Sequence, residues 1–279
     1  MEENMIKQRL TIRIGNRTLS FSAVDETAPA AVIATFEDAT SPIIRFEPFV
    51  VKSGVSMAAN LRNAFRQVEL ALVPIAKVRV LIDSPVLMVP VELFEESKMT
   101  DYYHHAFPDS EQDIVLYNVL PDLNAVAVFS INKDLKTVID DRFKNANIIA
   151  AISPVWRHLH QRSFTGVRNK LYGYFHEGRL DILCFQQHRF KFCNQYAVKH
   201  GHDAAYFLLY VWNQLALNAE HDELHIVGDL PEGEWLVEEL KKYVTKVYVI
   251  NPQADFSKAP ATLIQGMPYD LMTLYVKGR

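Results

Sequence analysis

The amino-acid sequence carries the same order of structural elements twice. Each copy predicts a β-hairpin, a third strand, a long helix and a strand that ends in Asp-x-Pro. The first copy has strands at Leu10–Ile14, Thr18–Ala23 and Ile43–Glu47, a helix at Met57–Leu72 and a strand at Val78–Asp83. The second copy has strands at Lys170–Phe175, Arg179–Phe185 and Gln187–Asn194, a helix at His202–Leu217 and a strand at Leu224–Asp229. Twinned units usually face each other across a cleft, so we expect function to reside there.

Hydrophobic periodicity supports these assignments. Leu10, Ile12 and Ile14 alternate with polar residues, and Gly15-Asn16 supplies a tight turn before the return strand. The apolar residues of 57–72 recur on one face of a helix, which is typical of a helix lying on a sheet. The helix that follows residue 202 is apolar nearly all the way round, which predicts that it is covered on more than one side.

The stretches outside the two copies predict further elements. Before residue 164 these are a short strand at Ala31–Phe36, a strand at Val86–Val89, a helix at Val91–Tyr103, a hairpin formed by Ile114–Leu120 and Ala125–Ile131, a helix capped by Asn132, a strand at Asn147–Ile152 with both faces buried, and a helix at Pro154–Ser163. After the second copy they are a helix around Trp235–Val244, a strand at Lys246–Ile250 and a helix at Tyr269–Lys277. We therefore predict an α/β protein of two similar lobes, 1–164 and 165–279, with an insertion subdomain at about 86–130 in the first.

Composition limits the classes of function. Of the 279 residues, 49% are hydrophobic, which is ample for a packed core. The formal net charge of −4 argues against nucleic acid as a partner, because phosphate neutralisation needs a surplus of Lys and Arg. The longest apolar run, Ala204–Trp212, is shorter than the roughly 20 residues of a membrane span. Residues 1–8 have no apolar core of signal-peptide length, so we expect a cytoplasmic protein.

The duplicated order resembles the actin-like ATPase superfold, whose lobes are ribonuclease-H-like and which actin, Hsp70 and sugar kinases share. The likeness is greatest to the bacterial actin homologues of pilus assembly and cell division, in which a small subdomain interrupts the first half. In the second half it rests on Gly178–Asn194, Gly201–Leu217, Leu224–Pro252 and Gln265–Val276. The chain also resembles a bacterial family known only as a domain of unknown function.

The turns that bind nucleotide in this superfold are altered here. The resemblance implies an acidic residue with glycine at the first hairpin, which would hold Mg²⁺ or its water, but the stretch reads Arg13-Ile14-Gly15-Asn16. The second hairpin, Tyr172–His176, has no carboxylate before its turn. The adenosine turn implies a glycine pair, where Gly228-Asp229 places an acid that would repel phosphate. We therefore predict no ATP hydrolysis, no catalytic residue and no cofactor or metal. The positions matching the nucleotide-binding turns are Gly15, Asn16, Gly228 and Asp229.

Several histidines and both cysteines are candidate metal ligands. His104-His105 is a weak pair, and His200-Gly-His202-Asp203 is interpreted as a turn in which His202 or Asp203 caps the following helix. The segments 158–160 and 221–223 contain His158, His160 and the run His221-Asp222-Glu223, and we interpret both as solvated surface. Cys184 and Cys193 lie on neighbouring strands of one hairpin that would not place them opposite each other, which predicts reduced thiols.

Two function hypotheses remain open at this stage. In the first, the protein is a non-catalytic actin-like protein that binds a protein partner or assembles with itself through the insertion subdomain. In the second, it is a divergent nucleotide- or sugar-binding enzyme that uses Asp83 or Asp229, which end equivalent strands and could converge as a carboxylate pair. Asp-x-Pro before a helix is also an ordinary turn and capping pattern, which favours a structural role for both residues.

Overall fold

A computed structural model describes residues 8–25, 44–72, 75, 77–186 and 189–277 of the chain. The chain divides into two compact units. The first contains Met1–Leu120, Val126–Ser153 and Phe256–Met267, and the second contains Pro121–Ala125, Pro154–Asp255 and Pro268–Arg279. Each unit is therefore built from discontinuous segments. The division of the chain between residues 164 and 165 stays a prediction, as does a cleft between the lobes. The predicted strand at Ala31–Phe36 lies outside the described residues.

The first unit contains two sheets and the helices that pack on them. In chain order its elements are β1 (Gln8–Ile14), β2 (Leu19–Asp25), β3 (Ile44–Phe49), α1 (Met57–Gln67), β4 (Lys77–Ile82), β5 (Val86–Pro90), α2 (Met99–Ala106), β6 (Ile114–Leu120), β7 (Ala125–Ile131), α3 (Lys133–Arg142) and β8 (Asn147–Ala150). The larger sheet has the strand order β3-β2-β1-β4-β8. Strand β1 pairs antiparallel with β2 and parallel with β4, and β4 pairs parallel with β8.

Helices α1 and α3 cover one face of this sheet. The Ser56 side chain begins α1 by accepting a hydrogen bond from the backbone N–H of Ala59 at 3.2 Å. Phe65 of α1 packs edge-on against Phe21 of β2, with ring centroids 6.1 Å apart, and against Phe143 at 5.5 Å. The predicted helix at 57–72 is shorter than expected because Val68 is extended, with φ −78° and ψ 120°.

The insertion forms a sheet with its own apolar cluster. Its strand order is β5-β7-β6, and Val89, Tyr103, Val115, Val126 and Val128 are buried together. The Tyr103 hydroxyl donates to the backbone oxygen of Pro85 at 2.8 Å and lies 3.2 Å from the Ser130 hydroxyl, so helix α2 is anchored at both ends of the inserted stretch. The predicted helix over 91–103 is wrong in its first part: two 3-10 turns at Val91–Leu93 and Glu96–Lys98 precede α2.

The second unit repeats the topology of the first. Its elements are α4 (Ile152–Ser163), β9 (Lys170–His176), β10 (Arg179–Gln186), β11 (Arg189–Ala197), α5 (Gly201–Gln214), β12 (Glu223–Gly228), α6 (Gly233–Lys241), β13 (Val247–Val249), α7 (Pro252–Asp255) and α8 (Tyr269–Lys277). The strand order of its sheet is β11-β10-β9-β12-β13, which matches β3-β2-β1-β4-β8 of the first unit strand for strand. The predicted duplication is therefore confirmed.

Both faces of the second sheet are covered by helices. On one face the apolar residues of β9, β10 and β12 pack against α5 and α6, with Leu208, Trp212 and Leu236 buried among them. On the other face Trp156 of α4 contacts Phe190, with ring centroids 5.2 Å apart, and His160 contacts Phe185 at 5.2 Å. The buried residues of α5 lie on one face of the helix, and Tyr206 and Tyr210 on the opposite face are 63% and 47% exposed, so the prediction that this helix is covered on more than one side is wrong.

Several local expectations are corrected by the structure. His158 and His160 are only 3% and 7% exposed, so the predicted surface position of this pair is wrong. Asp222 is also buried, because its carboxylate accepts hydrogen bonds from the backbone N–H groups of Asn218 and Asn169 at 2.7 and 3.1 Å. The short strand β8 is not buried on both faces, since Asn147 at its start is exposed.

Candidate functional site

The first hairpin turn and the end of β4 lie side by side. The backbone N–H of Gly15 donates to the carbonyl of Thr18 at 2.9 Å, which closes the turn. The backbone N–H of Asp83 donates to the carbonyl of Ile14 at 2.9 Å, which continues the parallel pairing of β4 with β1 by one residue. Gly15 is buried and Asn16 is exposed. Asp83 therefore lies next to the Gly15-Asn16 turn, which matches a nucleotide-binding turn of the superfold.

A buried ion pair occupies this place. The Arg13 Nη2 atom lies 3.4 Å from Oδ2 of Asp83, and each side chain is 3% exposed. The Nη1 group of Arg13 also donates to the Thr18 hydroxyl at 2.7 Å, so the guanidinium ties β4 to the turn itself. A buried carboxylate held by arginine is already compensated, and bringing a divalent cation beside it would add repulsion from the guanidinium.

The matching turn of the second unit is formed by Gly228 and Asp229. The backbone N–H of Asp229 donates to the carbonyl of Phe175 at 2.9 Å, the same bond that Asp83 makes to Ile14. Gly228 has φ +100°, and a Cβ atom there would lie 2.0 Å from the Phe175 carbonyl oxygen. This position therefore requires glycine for the close approach of two backbones. Asp229 is exposed.

The second hairpin contains a carboxylate that the sequence interpretation overlooked. Glu177 and Gly178 both have positive φ, so the hairpin turns tightly between His176 and Arg179. The Asp181 carboxylate of the return strand contacts Nε2 of His176, and both side chains are buried. The His176 ring also stacks on Tyr174, with centroids 4.4 Å apart. The hairpin register could have revealed this contact, because residues 174, 176, 179 and 181 share one face of paired strands.

The two units thus have different side chains at equivalent positions of their sheets. Arg13 precedes Ile14 in β1, and Tyr174 precedes Phe175 at the corresponding place in β9. In the first unit arginine holds the carboxylate that follows β4, and in the second histidine holds a carboxylate from the hairpin. The Asp83 and Asp181 carboxylates are therefore each bound by a basic side chain of the same sheet. This donor set does not fit the magnesium nucleotide that the superfold implies.

A second polar cluster lies between α4, α7 and β9. The His158 Nε2 atom lies 2.6 Å from Oδ2 of Asp255, and the Arg162 guanidinium contacts the other oxygen of the same carboxylate. The ammonium group of Lys170 donates to the carbonyl of Arg162 at 3.1 Å and to the Thr165 hydroxyl at 2.7 Å. Burial lowers the pKa of Lys170. These bonds fix α4 against the sheet, which explains why His158 is inside.

His225 of β12 lies in the same buried layer. Its ring stacks on Tyr248, with centroids 5.0 Å apart, and lies 5.4 Å from the ring of Tyr172. Its Nε2 atom lies 3.0 Å from the carboxylate of Glu223. Burial lowers the pKa of His225, although the bond to Glu223 opposes that shift. Burial also raises the pKa of Tyr172, so its hydroxyl stays protonated at neutral pH.

The other candidate ligands of the sequence have local roles. The Asp203 carboxylate accepts hydrogen bonds from the backbone N–H groups of Lys199 and His200 at 3.0 and 3.1 Å, which confirms the predicted helix cap and lowers the pKa of Asp203. His202 stacks on Trp235 at 4.1 Å. Cys193 pairs with Leu183 and not with Cys184, as the sequence predicts. Within the described residues, no group of three His, Cys, Asp or Glu side chains could hold a metal ion.

Across the described ranges, every helix is too short or too polar to span a bilayer.

Comparison with solved structures defines the class. A protein with actin-like ATPase fold and unknown function from Bacteroides thetaiotaomicron VPI-5482 superposes with a TM-score of 0.81 and 29% sequence identity, covering 97% of this chain and 96% of that one. The PilM-PilN type IV pilus biogenesis complex superposes with a TM-score of 0.56 and 11% identity, covering 96% of this chain and 97% of that one. The protein therefore has the actin-like ATPase fold, with duplicated lobes and a small antiparallel insertion sheet.

The family follows from the sequence match. Residues 2–247 match the family described as "Protein of unknown function (DUF3822)", and the chain belongs to that family. No curated protein matches it. The resemblances to the actin-like superfold and to a domain of unknown function are both confirmed.

Proposed function

We propose that the protein is a non-catalytic actin-like protein that acts by binding a protein partner or by assembling with itself. The observation that carries this proposal is the buried pair formed by Arg13 and Asp83, in which Nη2 and Oδ2 are 3.4 Å apart. The contact of His176 with Asp181 at the second hairpin supports it independently. The Asp83 and Asp181 carboxylates beside the two hairpins are each held by a basic side chain, which disfavours their use as Mg²⁺ ligands in ATP hydrolysis.

The insertion is the part of the chain that we propose to contact the partner. It has its own buried cluster, so its outer surface can vary without disturbing the larger sheet. Four large apolar side chains on it are at least 37% exposed: Val91, Leu93, Tyr102 and Val119. Exposed apolar side chains contribute to protein interfaces when they are gathered in one region. A similar fold occurs in the PilM-PilN type IV pilus biogenesis complex, which is in keeping with a partner-binding role.

The alternative is a divergent nucleotide- or sugar-binding enzyme. It draws support from Asp229, whose carboxylate is exposed beside a turn that only glycine can form. Asp83 is a poor candidate for this chemistry because Arg13 already holds its carboxylate.

A nucleotide panel with and without Mg²⁺ tests the loss of ATP chemistry. A ligand present at about 100 times its dissociation constant adds about 2.7 kcal/mol to the free energy of unfolding. We expect ATP, ADP and GTP to give no increase in melting temperature that depends on Mg²⁺. A magnesium-dependent increase that disappears in the Asp83→Asn or Asp229→Asn variant would contradict the proposal and favour the enzyme.

A surface substitution in the insertion tests the interaction. Leu93 is 64% exposed, and Leu72, in the same unit but outside the insertion, is 57% exposed. We expect Leu93→Asp to abolish either self-association, measured by light scattering over a range of concentrations, or co-purification of a defined partner. Leu72→Asp is the matched control and should retain both. Equal behaviour of the two variants would show that the insertion does not mediate the interaction.

A further inference from the structure

A cavity of about 500 Å³ opens on the first unit, apart from the hairpin turns. Four basic side chains line it, and no carboxylate is among the described residues of its wall: Arg9, Lys77, Arg79 and Lys144. Concave surfaces lined by charges of one sign concentrate the field and attract ligands of the opposite sign. The cavity is therefore suited to an anion, even though the whole chain has a formal net charge of −4.

The topology of the sheet brings these charges together. Arg9 of β1 is paired in register with Lys77 of β4, and Arg79 is paired with Asn147 of β8. Residues in register on parallel strands point to the same face, and neighbouring strands are about 4.8 Å apart. Lys144 joins them from the turn between α3 and β8. Two adjacent strands, β1 and β4, and the turn before β8 thus bring four basic residues to a single volume.

The wall also defines the kind of anion. The ring of Phe143 supplies an apolar surface, and the amide of Asn147 supplies a donor and an acceptor. Arginine binds phosphate oxygens in a bidentate manner, and lysine adds a point charge. A volume of about 500 Å³ lies within the usual range of small-molecule sites, roughly 300–1,000 Å³. We propose that this cavity binds a small organic phosphate, with its phosphate groups on the four basic side chains and its body against Phe143.

Arg9, Lys77 and Arg79 already take part in other interactions within the chain. A bound phosphate would share these groups with their present partners. The proposal rests on the charge and shape of the cavity wall, and it implies that binding weakens as salt concentration rises.

The cavity is independent of the altered nucleotide turns. Lys77 begins β4 and Asp83 follows its end, so six residues of extended chain separate them, roughly 20 Å. The inference therefore goes beyond the proposed function and does not depend on it. Mg²⁺ should weaken binding in this cavity, because it neutralises the phosphate groups that the cluster of cations attracts. At a nucleotide site that uses Mg²⁺, the ion would instead strengthen binding.

Calorimetric titration with inorganic pyrophosphate and with ADP, both without Mg²⁺, tests the proposal. We expect the unchanged protein to bind at least one of them, and we expect the Lys77→Glu/Lys144→Glu variant to bind at least tenfold more weakly. Both lysines are exposed, so their replacement should leave the fold intact. The matched control is Lys52→Glu/Lys133→Glu, which changes two exposed lysines of the same unit and alters the net charge equally.

Three results would overturn the inference. They are no binding of either probe at millimolar concentration, an equal loss of affinity in the control variant, or binding that requires Mg²⁺. If the double glutamate variant does not fold, Lys144→Ala alone should still weaken binding several-fold while Lys133→Ala does not. Binding that needs Mg²⁺ and is lost in Asp83→Asn would instead contradict the proposed function, so the two failures are distinguishable.

Discussion

At the scale of single residues, the strongest requirement is at Gly228. Its backbone lies against that of Phe175, so that a Cβ atom would come within 2.0 Å of the carbonyl oxygen, and its φ of +100° is unfavourable for other residues. The resemblance to the actin-like superfold implies a glycine at this turn for binding a nucleotide. The structure supplies a second reason, since the glycine lets the chain turn out of β12 while Asp229 continues the pairing with β9.

We expect Gly228→Ala to lower the free energy of unfolding by about 2 kcal/mol or more, because both the contact and the dihedral angle are unfavourable for alanine. The measurement is chemical denaturation followed by tryptophan fluorescence. Gly233→Ala is the matched control: it lies five residues later in α6, and its Cβ atom would meet only Leu230 at an ordinary 3.5 Å. Equal stability of the two variants would contradict the argument.

His225 should make stability depend on pH. Burial lowers its pKa below the ordinary value of 6.5, while the bond to Glu223 partly opposes this. The unfolded chain therefore takes up a proton at a higher pH than the folded protein does. The contribution is fully present above pH 6.5 and is lost as pH falls from 6.5 towards the lowered folded pKa.

We expect His225→Phe, which keeps a ring between Tyr172 and Tyr248, to reduce the loss of unfolding free energy between pH 7 and pH 5. Denaturant titrations at several pH values measure this slope. His221→Phe replaces an exposed histidine nearby in sequence and should leave the slope unchanged. A slope in His225→Phe equal to that of the unchanged protein would show that His225 does not carry the dependence.

At the scale of elements, the sequence predicts strands and helices well where periodicity is strong. The hairpin strands Ile114–Leu120 and Ala125–Ile131 and the final helix Tyr269–Lys277 have the predicted bounds. It fails where a contact distant in sequence decides the outcome. His158 is drawn inside by Asp255, 97 residues later, and no pattern local to α4 indicates that partner. Asp181 was within reach of prediction, because the hairpin register pairs it with Tyr174 and so places it on the same face as His176.

On its outer edge, strand β8 is hydrogen-bonded to a side chain and not to another strand. The Asn118 amide of β6 accepts a hydrogen bond from the backbone N–H of Ala150 at 2.9 Å and donates to the carbonyl of Ile148 at 3.1 Å. It therefore supplies the two bonds that a paired strand would make. Ala150 is fully buried, so its N–H has no access to water if the amide is removed.

We expect Asn118→Leu to lower the free energy of unfolding by about 1–3 kcal/mol, the usual cost of leaving a buried backbone group without a partner. Hydrogen exchange measured by NMR should show the Ala150 amide exchanging faster than its neighbours in β4. Asn213→Leu, at an exposed position of α5, is the control and should not change that amide. Unchanged exchange at Ala150 in Asn118→Leu would contradict the role assigned to this side chain.

At the scale of the whole molecule, the duplication is visible in the sequence, but the sequence does not show which segments form each unit. Repeated strand order follows from repeated patterns of alternation and turns, which are local properties. The segments that leave one unit and join the other, such as 121–125 and 256–267, have no local signal. The basic cavity was not predicted either, because its charges come from two strands and a turn that are distant in sequence, and the parallel register of β1 and β4 brings Arg9 beside Lys77.

The second unit should therefore need α4 to fold. This helix supplies the partners of Asp255 and Lys170 and covers the aromatic face of the sheet through Trp156. We expect fragment 152–279 to unfold cooperatively in circular dichroism, and fragment 165–279 to lack a cooperative transition and to bind a hydrophobic dye, because the face that contains Phe190 and His225 would be uncovered. His158→Ala in the longer fragment removes one bond to Asp255 without removing the helix, and it should lower the midpoint while preserving the transition. A cooperative transition in 165–279 at the midpoint of the longer fragment would show that α4 is dispensable for the folding of the second unit.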